Sequence, residues 1–194
     1  MRIIAGTKRG MKLLPPRDDT TRPIIDRIKE SIFSVLYKYD LIEGKAVADL
    51  FCGTGSFGLE ALSRGAEQAV FVEQNSKVVA VLNKNIEKAG FVEISNVIRA
   101  NAFKIGAPVK PGTQKYSLIF VDPPYVLSRD VGGNSQLAKL LELLPGQLAP
   151  DGLAVVRTEK RVSLLDNYGP LEIIDRRQWG KMAVAILRVK NNDE

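Results

Sequence analysis

Hydrophobic residues in the central part of the chain follow two kinds of pattern that alternate with each other. Short continuous apolar runs, typical of buried strands, occupy residues 46–51, 69–73, 96–99, 117–121 and 152–158. Apolar positions at helical spacing, which predict helices buried on one face, occupy residues 57–64, 76–89 and 136–144. Because strands and helices alternate, we predict a doubly wound α/β fold with a mostly parallel sheet.

The C-terminal part of the chain breaks this alternation. Residues 171–175 and 182–189 have the pattern of two strands, and no helical segment separates them. Two strands joined without a helix indicate an antiparallel hairpin. With this hairpin, the predicted sheet has seven strands.

The N-terminal part has a pattern of its own. Residues 2–14 alternate loosely around two glycines and predict a β-hairpin with a basic tip. A helix start at residues 20–23 follows, with proline in its first turn. The apolar positions of this helix recur at helical spacing, at Ile25, Ile28, Ile32 and Leu36. We therefore divide the chain into a basic N-terminal arm, residues 1–44, and a main domain, residues 45–194.

The composition excludes several function classes. The chain has no histidine, which excludes Ser-His-Asp and Cys-His catalysis and His-ligated metal sites. One cysteine, Cys52, excludes an internal disulfide framework and fits a reducing compartment. We recognise no signal peptide, and no apolar run approaches the roughly 20 residues of a membrane span. We therefore expect a cytoplasmic protein without a metal, and we take it to be monomeric.

The charge of the chain favours a polyanionic partner. The net charge is +6 and the sequence pI is about 9.4. Residues 1–17 contain no acidic side chain and the basic residues Arg2, Lys8, Arg9, Lys12 and Arg17. Such a cluster is typical of nucleic-acid contact, although a solvated basic face has the same composition.

A glycine-rich turn follows the first predicted strand and opens the first predicted helix. Gly53-Thr54-Gly55 lets the backbone approach a ligand beside the free N–H groups of a helix N-terminus. Asp49 precedes this turn, so it would repel a pyrophosphate and attract an ammonium or sulfonium group. Glu73 ends the second strand, where a carboxylate can accept both hydroxyls of a ribose. These features predict a nucleoside cofactor with a cationic part, although either acid can also be an exposed strand-end charge.

The tetrapeptide Asp122-Pro123-Pro124-Tyr125 directly follows a buried strand. Asp122 can accept one proton of an exocyclic amino group and the Pro123 carbonyl can accept the other. Neither proline has an N–H that competes for these acceptors, and Tyr125 can stack on a base. We interpret residues 126–134 as a flap over that base or as a solvated loop. The tetrapeptide therefore predicts methylation of a nucleobase amino group, and a Pro-Pro turn with a surface tyrosine is the alternative.

Two motifs resemble those of class I S-adenosylmethionine-dependent methyltransferases that modify amino groups of nucleic acids. They are Val-Ala-Asp-Leu-Phe-Cys-Gly-Thr-Gly at residues 47–55 and the tetrapeptide. Segments of the N-terminal arm narrow the resemblance to the bacterial family that methylates N2 of one guanine in 16S ribosomal RNA; they lie at residues 2–6, 9–10, 22–23, 26–27 and 30–33. The similarity extends from the first hairpin to Trp179-Gly180.

This resemblance implies a role for each matching residue. The implied contacts with S-adenosylmethionine are Asp49, Phe51, Cys52, Gly53, Thr54, Gly55, Glu73, Asn101, Ala102 and Asp122. The implied catalytic residues are Asp122, Pro123 and Tyr125. The implied RNA contacts are Lys8, Arg9, Arg22, Pro124 and Tyr125.

Asn101 departs from the family pattern, which usually has Asp-Ala where this chain has Asn101-Ala102. The amide oxygen would still accept a hydrogen bond from the adenine amino group, but without charge, so we expect weaker cofactor binding. Phe103 is interpreted as an adenine contact or as a core residue. Cys52 is interpreted as a small packed side chain, and Trp179 as an RNA contact or as packing in the terminal hairpin.

The sequence therefore predicts a class I methyltransferase that transfers a methyl group to guanine N2. The expected substrate is 16S ribosomal RNA, either naked or in the small ribosomal subunit. An N6-adenine methyltransferase acting on RNA or DNA is one alternative, because adenine also has an exocyclic amine. A catalytically inactive nucleic-acid-binding protein on a methyltransferase scaffold is the other.

Overall fold

A computed structural model describes residues 1–15 and 26–190, and in it the chain forms an eight-stranded sheet. The strands are β1 (Ala46–Leu50), β2 (Gln68–Glu73), β3 (Ser95–Arg99), β4 (Tyr116–Val121), β5 (Leu148–Glu159), β6 (Asn167–Tyr168), β7 (Leu171–Trp179) and β8 (Met182–Val189). Their order across the sheet is β3-β2-β1-β4-β5-β8-β7-β6. The predicted doubly wound α/β fold is confirmed.

Helices cover both faces of this sheet. They are α1 (Asp26–Tyr37), α2 (Ser56–Ser63), α3 (Ser76–Ala89), α4 (Ala102–Ile105) and α5 (Gln136–Leu143). The predicted helices at 57–64, 76–89 and 136–144 are confirmed with bounds shifted by at most one residue, whereas the one-turn α4 was not predicted. Among residues 1–15 and 26–190, no helix has the length and apolar character that crossing a bilayer requires.

The first five strands fix the position of a crevice. They pair in parallel, so their carboxyl ends meet at one edge of the sheet. The chain winds from β1 to β2 and β3 on one side and returns to β4 and β5 on the other. In doubly wound sheets, ligands bind at this change of direction, beyond the carboxyl ends of the strands. Here the crevice lies between the ends of β1 and β4.

The C-terminal part of the sheet is antiparallel, as predicted, but the strand number was wrong. β8 pairs with β5 and β7, and the additional strand β6 pairs with β7. β6 has two residues, which is too short to produce a recognisable hydrophobic pattern. It places Tyr168 in the core, where the ring is 2% exposed. The sheet therefore has eight strands instead of seven.

Two hydrophobic cores lie on opposite faces of the sheet. On one face, Phe33 of α1, Leu59 of α2 and Leu82 of α3 pack with Phe71 and Phe120 of the strands. The core of the other face contains α5 and α4 side chains against the same strands; its members include Leu137, Leu141, Ala102, Leu50 and Ile119. Because both faces are covered, the central strands are buried throughout, which explains their continuous apolar runs.

The N-terminal arm is part of the first core. Its predicted hairpin has one antiparallel bridge, between Arg2 and Lys12, and buries Ile3 and Leu13. The carboxylate of Glu60 on α2 accepts hydrogen bonds from the backbone N–H groups of residues 4 and 5, at 2.7 and 3.0 Å. The arm is therefore attached to α2 by backbone hydrogen bonds as well as by apolar contact. The predicted helix start at residues 20–23 lies outside the described residues.

The tip of this hairpin lies far from the crevice. The N–H groups of Thr7 and Lys8 donate to the carbonyl and hydroxyl oxygens of Ser63, at 2.7 and 2.9 Å. Ser63 ends α2, which begins at the carboxyl edge of the sheet and runs back to the start of β2. An eight-residue helix is about 12 Å long. The basic tip therefore lies at the amino edge of the sheet.

Candidate active site

A cavity of about 620 Å³ lies in the crevice at the carboxyl ends of the central strands. The predicted site residues that line it are Asp49, Phe51, Cys52, Gly53, Thr54, Glu73, Ala102, Asp122, Pro123, Pro124 and Tyr125. One cavity thus brings together the glycine-rich turn and the tetrapeptide. Among the described residues, four predicted ones do not line it: Gly55, Asn101, Lys8 and Arg9.

Gly55 shapes the turn from behind the cavity. Its φ of 88° is left-handed, and its N–H donates to the Cys52 carbonyl at 2.8 Å. A Cβ at this position would lie 2.5 Å from Leu82 Cδ1. Glycine is therefore required here both by backbone conformation and by the close approach of α3.

Asp49 lines this cavity and has one carboxylate oxygen without a hydrogen-bond partner among the described residues. The side chain is buried, and its Oδ2 accepts from the Gly58 N–H at 2.8 Å. Its Oδ1 is buried without a hydrogen-bond partner among the described residues. Burial raises the pKa of Asp49 to about 7; the Gly58 hydrogen bond opposes the rise and the nearby charge of Asp122 adds to it. A ligand cation at Oδ1 would satisfy this oxygen and favour the ionised form.

Glu73 is held in place by the backbone around it. Its Oε2 accepts from the Gly53 N–H at 3.2 Å, and its Oε1 accepts from the Asn75 N–H at 2.9 Å. The carboxylate therefore links the glycine-rich turn to the start of α3. Each oxygen retains a second lone pair, which can accept a hydroxyl proton.

The amide oxygen of Asn101 is engaged in holding a helix. It caps α4 by accepting from the Phe103 N–H at 2.9 Å. The neighbouring Ala100 and Ala102 line the cavity in its place. The ring of Phe103 packs on Phe51, with ring centroids 4.6 Å apart. Phe103 is partly buried and packs against the core that contains α4 and α5. This arrangement favours the interpretation of Phe103 as a core residue.

Asp122 is held by Arg157 of β5. Arg157 Nε donates to Asp122 Oδ1 at 2.6 Å, and its Nη2 donates to Oδ2. Arg157 is 9% exposed and also lies over the ring of Phe57, 6.0 Å from the centroid. Burial raises the pKa of the Asp122 carboxyl, and the guanidinium opposes that rise. The bidentate geometry holds Asp122 as a charged carboxylate in a single orientation.

The rest of the tetrapeptide forms one wall of the cavity. Pro123 is buried and Pro124 is exposed, and a 3₁₀ turn begins at Tyr125 (Tyr125–Ser128). The predicted flap at residues 126–134 begins within this turn and continues beyond it. From it, Arg129 Nε donates to Glu159 Oε2 at 3.2 Å, which joins the loop to the end of β5. Both members of this ion pair line the cavity.

The remaining predicted residues lie elsewhere or are not described. Lys8 lies at the amino edge of the sheet, with its ammonium group 5.7 Å from the centroid of the Phe91 ring. Arg9 is its exposed neighbour in the hairpin tip, and Arg22 lies outside the described residues. Trp179 packs against the first core, in agreement with the packing interpretation. Burial raises the pKa of Cys52 well above its usual range, so the thiol is protonated at neutral pH.

Two residues of the site were missed by reasoning from the sequence, namely Arg157 and Glu159. A signal for Arg157 is present, because it is a lone charge at the end of the apolar run Leu153-Ala154-Val155-Val156. A charge in a buried strand requires a partner of opposite charge. The tetrapeptide at the end of the neighbouring strand supplies this partner.

Comparison with known proteins agrees with this fold. The family described as Conserved hypothetical protein 95 matches residues 1–188. A putative rRNA methyltransferase of Bacillus subtilis, YlbH, is 32% identical over 97% of this chain and 98% of the relative. The ribosomal RNA small subunit methyltransferase D of Escherichia coli is 36% identical over 82% of this chain and 75% of that protein.

The solved structures give the same result. The putative methyltransferase yhhF of Escherichia coli superposes with a TM-score of 0.79 at 30% identity, over 98% of both chains. A putative methylase of Haemophilus influenzae superposes with a TM-score of 0.71 at 29% identity, over 96% of both chains. The chain therefore belongs to the ribosomal RNA small subunit methyltransferase D family, the family described as Conserved hypothetical protein 95.

Proposed function

We propose that this protein transfers a methyl group from S-adenosylmethionine to the exocyclic N2 of a guanine in 16S ribosomal RNA. The observation that supports this proposal most strongly is the bidentate Asp122–Arg157 pair at the rim of a cavity that also contains Asp49 and Glu73. The pair fixes a charged acceptor for an amino group beside Asp49 and Glu73. We refer to these two carboxylates as the cofactor cradle, because they suit a nucleoside with a cationic part. We further propose that the enzyme acts as a monomer in the cytoplasm, with residues 1–44 as its RNA-binding arm.

The cradle fits S-adenosylmethionine in two respects. The unsatisfied Oδ1 of Asp49 is a buried acceptor at which an ammonium group would complete the hydrogen bonding. Glu73 is held by two backbone N–H groups with lone pairs left for the ribose hydroxyls. When bound, S-adenosylmethionine supplies an electrophilic methyl group. Ala100 and Ala102 would contact its adenine in place of the engaged Asn101.

The tetrapeptide would orient the target amine. Each carboxylate oxygen of Asp122 has two lone pairs and gives one to Arg157, so one at each oxygen remains for an amino proton. The Pro123 carbonyl accepts the second amino proton, and Tyr125 stacks on the base. Both acceptors attract the amino protons and so increase the electron density on the amine nitrogen. Asp122 takes up the proton that is released. Correct placement of the reacting atoms can lower the activation free energy of such a reaction by up to about 7–11 kcal/mol.

The identity of the substrate is supported by the relatives. The proteins of Haemophilus influenzae and Escherichia coli are named ribosomal RNA small subunit methyltransferase D. They are 33% and 36% identical to this chain over more than four fifths of its length. This similarity favours a small-subunit RNA over DNA as the substrate. Adenine N6 is the alternative target, because it offers the same two amino protons to the same two acceptors.

Methyl transfer to three polymers tests this proposal. The wild-type protein is incubated with labelled S-adenosylmethionine and with hypomethylated small ribosomal subunits, naked 16S RNA or duplex DNA, and the products are digested to nucleosides. We expect label in guanosine from at least one of the two ribosomal samples. Label in adenosine would contradict the proposed base. Cofactor binding without any labelled product would favour an inactive nucleic-acid-binding protein.

A further inference from the structure

A second cavity, of about 530 Å³, adjoins the candidate active site. Tyr125 and Glu159 line both cavities, so the second lies directly beside the wall that the tetrapeptide forms. The other residues that line it are Lys160, Arg161, Gly180 and Lys181. These four come from two turns, one after β5 and one between β7 and β8. We refer to Lys160, Arg161 and Lys181 as the basic groove.

The topology of the sheet places both turns at the carboxyl edge. β5 is parallel to β4, so the chain leaves β5 on the same edge as Asp122. β8 is antiparallel to β5 and pairs Met182 with Glu159, so the turn before β8 also lies on this edge. The Lys160 N–H donates to the Lys181 carbonyl at 2.9 Å and joins the two turns. This hydrogen bond brings together the two segments of backbone that carry the three cations of the basic groove.

The charge of this groove is not balanced by the protein. Lys160, Arg161 and Lys181 are all exposed, and none of them forms an ion pair with another residue in the described ranges 1–15 and 26–190. Its one lining carboxylate, Glu159, is already paired with Arg129. A concave surface with three unpaired cations attracts a polyanion.

We propose that the basic groove binds the phosphate groups of the RNA strand that flanks the target nucleotide; this inference rests on the proposed function. A base turned out of its stack remains attached to its strand, so the neighbouring phosphates must pass the rim of the pocket. The basic groove lies on this rim, next to Tyr125. The predicted contacts Lys8 and Arg9 lie at the opposite edge of the sheet. The basic groove is therefore the nearer electrostatic anchor for the reacting strand.

Two triple variants test this inference. The groove variant carries Lys160→Gln, Arg161→Gln and Lys181→Gln. The matched control carries Lys45→Gln, Lys110→Gln and Lys115→Gln; these lysines are exposed, and Lys45 and Lys115 directly precede β1 and β4 at the amino edge. Both variants lose the same charge. Affinity for transcribed 16S RNA and for assembled small subunits is measured at several salt concentrations, with S-adenosylmethionine affinity as a check of folding.

For the groove variant, we expect the RNA dissociation constant at 0.15 M salt to rise by about 50-fold, and the slope of log K against log salt to become shallower by about 2. The control is expected to change by less than about threefold, and both variants should bind S-adenosylmethionine as the wild type does. In methyl transfer, the groove variant should show a raised KM for RNA.

Equal RNA binding by the groove variant and the control would overturn the inference. A loss seen only with assembled small subunits, and not with naked RNA, would overturn it in favour of an acidic protein partner. If the wild-type protein methylates 16S RNA while the groove variant binds RNA as tightly as the wild type, only the inference about the groove fails and the proposed function stands. If the wild-type protein neither binds nor methylates 16S RNA, whether naked or in small subunits, both fail.

Discussion

At the scale of single residues, the pair of Asp122 and Arg157 explains how a carboxylate in a largely buried site remains available for hydrogen bonding to a substrate. The guanidinium neutralises Asp122 and leaves one lone pair on each of its oxygens. A buried charge that loses its partner is strongly destabilising, whereas removal of both charges is often close to neutral. Because of this asymmetry, single and double substitutions can distinguish the structural role of Asp122 from its chemical role.

The first prediction uses single and double substitutions at this pair. Asp122→Asn should lower the rate of methyl transfer by at least about 100-fold. It should also lower the free energy of unfolding by about 3–5 kcal/mol, because Arg157 is left buried without a carboxylate. The double variant Asp122→Asn, Arg157→Met should recover most of the stability but none of the activity. Urea unfolding and single-turnover transfer measure the two effects.

A double variant that regained activity together with stability would contradict the chemical role. It would mean that Asp122 serves only to satisfy Arg157. The matched control for the arginine is Arg157→Lys, which keeps the charge and loses the bidentate contact. We expect this variant to fold and to transfer methyl more slowly, with unchanged affinity for S-adenosylmethionine.

The second prediction concerns the pH dependence of cofactor binding. Burial raises the pKa of Asp49 to about 7, so the carboxyl is largely neutral in mild acid and ionises as the pH rises through 7. Between pH 5.5 and 6.5 the ionised fraction should increase about eightfold. Because the ionised form attracts the cofactor ammonium, the affinity for S-adenosylmethionine should rise by the same factor. Calorimetric titrations across this range measure the change.

The variant Asp49→Asn is the control for this pH dependence. It retains a hydrogen-bond acceptor but cannot ionise, so its cofactor affinity should be weaker and nearly constant between pH 5.5 and 6.5. The same eightfold rise in Asp49→Asn would show that another group is responsible. Asp49 would then not be the residue that binds the ammonium.

At the scale of elements, a buried charge cluster attaches the N-terminal hairpin, residues 2–14 of the arm, to α1 and α2. The Nζ of Lys29 on α1 lies 3.1 Å from the Glu60 carboxylate on α2, and both side chains are fully buried. Glu60 also pairs with Arg64 at 2.8 Å and accepts the two backbone N–H groups of the arm. Lys29 donates to the Arg2 carbonyl at 2.7 Å. The arm is therefore fixed by the same carboxylate that neutralises Lys29.

The third prediction follows from the unequal surroundings of the Lys29 and Glu60 charges. Glu60→Gln leaves Lys29 buried without a carboxylate partner among the described residues, so the free energy of unfolding should fall by about 3–5 kcal/mol. Lys29→Met should cost less than half of this, because Glu60 keeps Arg64 and two backbone donors. Urea unfolding of both variants measures the difference. Equal losses would contradict the view that Glu60 organises the attachment of the arm.

The main elements could be predicted because their sequences follow the periods of buried strands and one-sided helices. The helix at residues 76–89 and the strand at 182–189 were predicted with the bounds that the structure shows. α4 and β6 escaped prediction because four and two residues are too few for any period. β5 begins before its predicted start at Gly152, since the register shift opposite Tyr116 interrupts its pattern.

The site was predictable where its residues lie beside strand ends, and not where they depend on tertiary contacts. Glu73 ends β2, Asp122 directly follows β4 and Asp49 lies one residue before the end of β1, so they were found. The amide oxygen of Asn101 is occupied because it caps α4. This contact could not be predicted, because α4 has no sequence signal of its own. The position of Lys8 at the amino edge depends on how the hairpin docks on α2, a contact between residues 55 positions apart.

At the scale of the whole molecule, the division of the sheet into two edges organises the function that we propose. The carboxyl edge holds the cofactor cradle, the tetrapeptide and the basic groove, because parallel pairing brings the ends of β1, β2, β4 and β5 together. The amino edge holds the basic tip of the arm. Basic side chains thus lie at both edges of the sheet, and of these two basic surfaces only the groove adjoins the pocket.

The central claim is that this pocket methylates N2 of guanine, and the most direct measurement identifies the modified atom. Naked 16S RNA or small subunits methylated by the wild-type protein are digested to nucleosides. The methylated product is then compared by chromatography and mass spectrometry with N1-, N2- and N7-methylguanosine and N6-methyladenosine. Our account predicts N2-methylguanosine, absent from a parallel reaction with Asp122→Asn. Any other methylated nucleoside as the main product would contradict it.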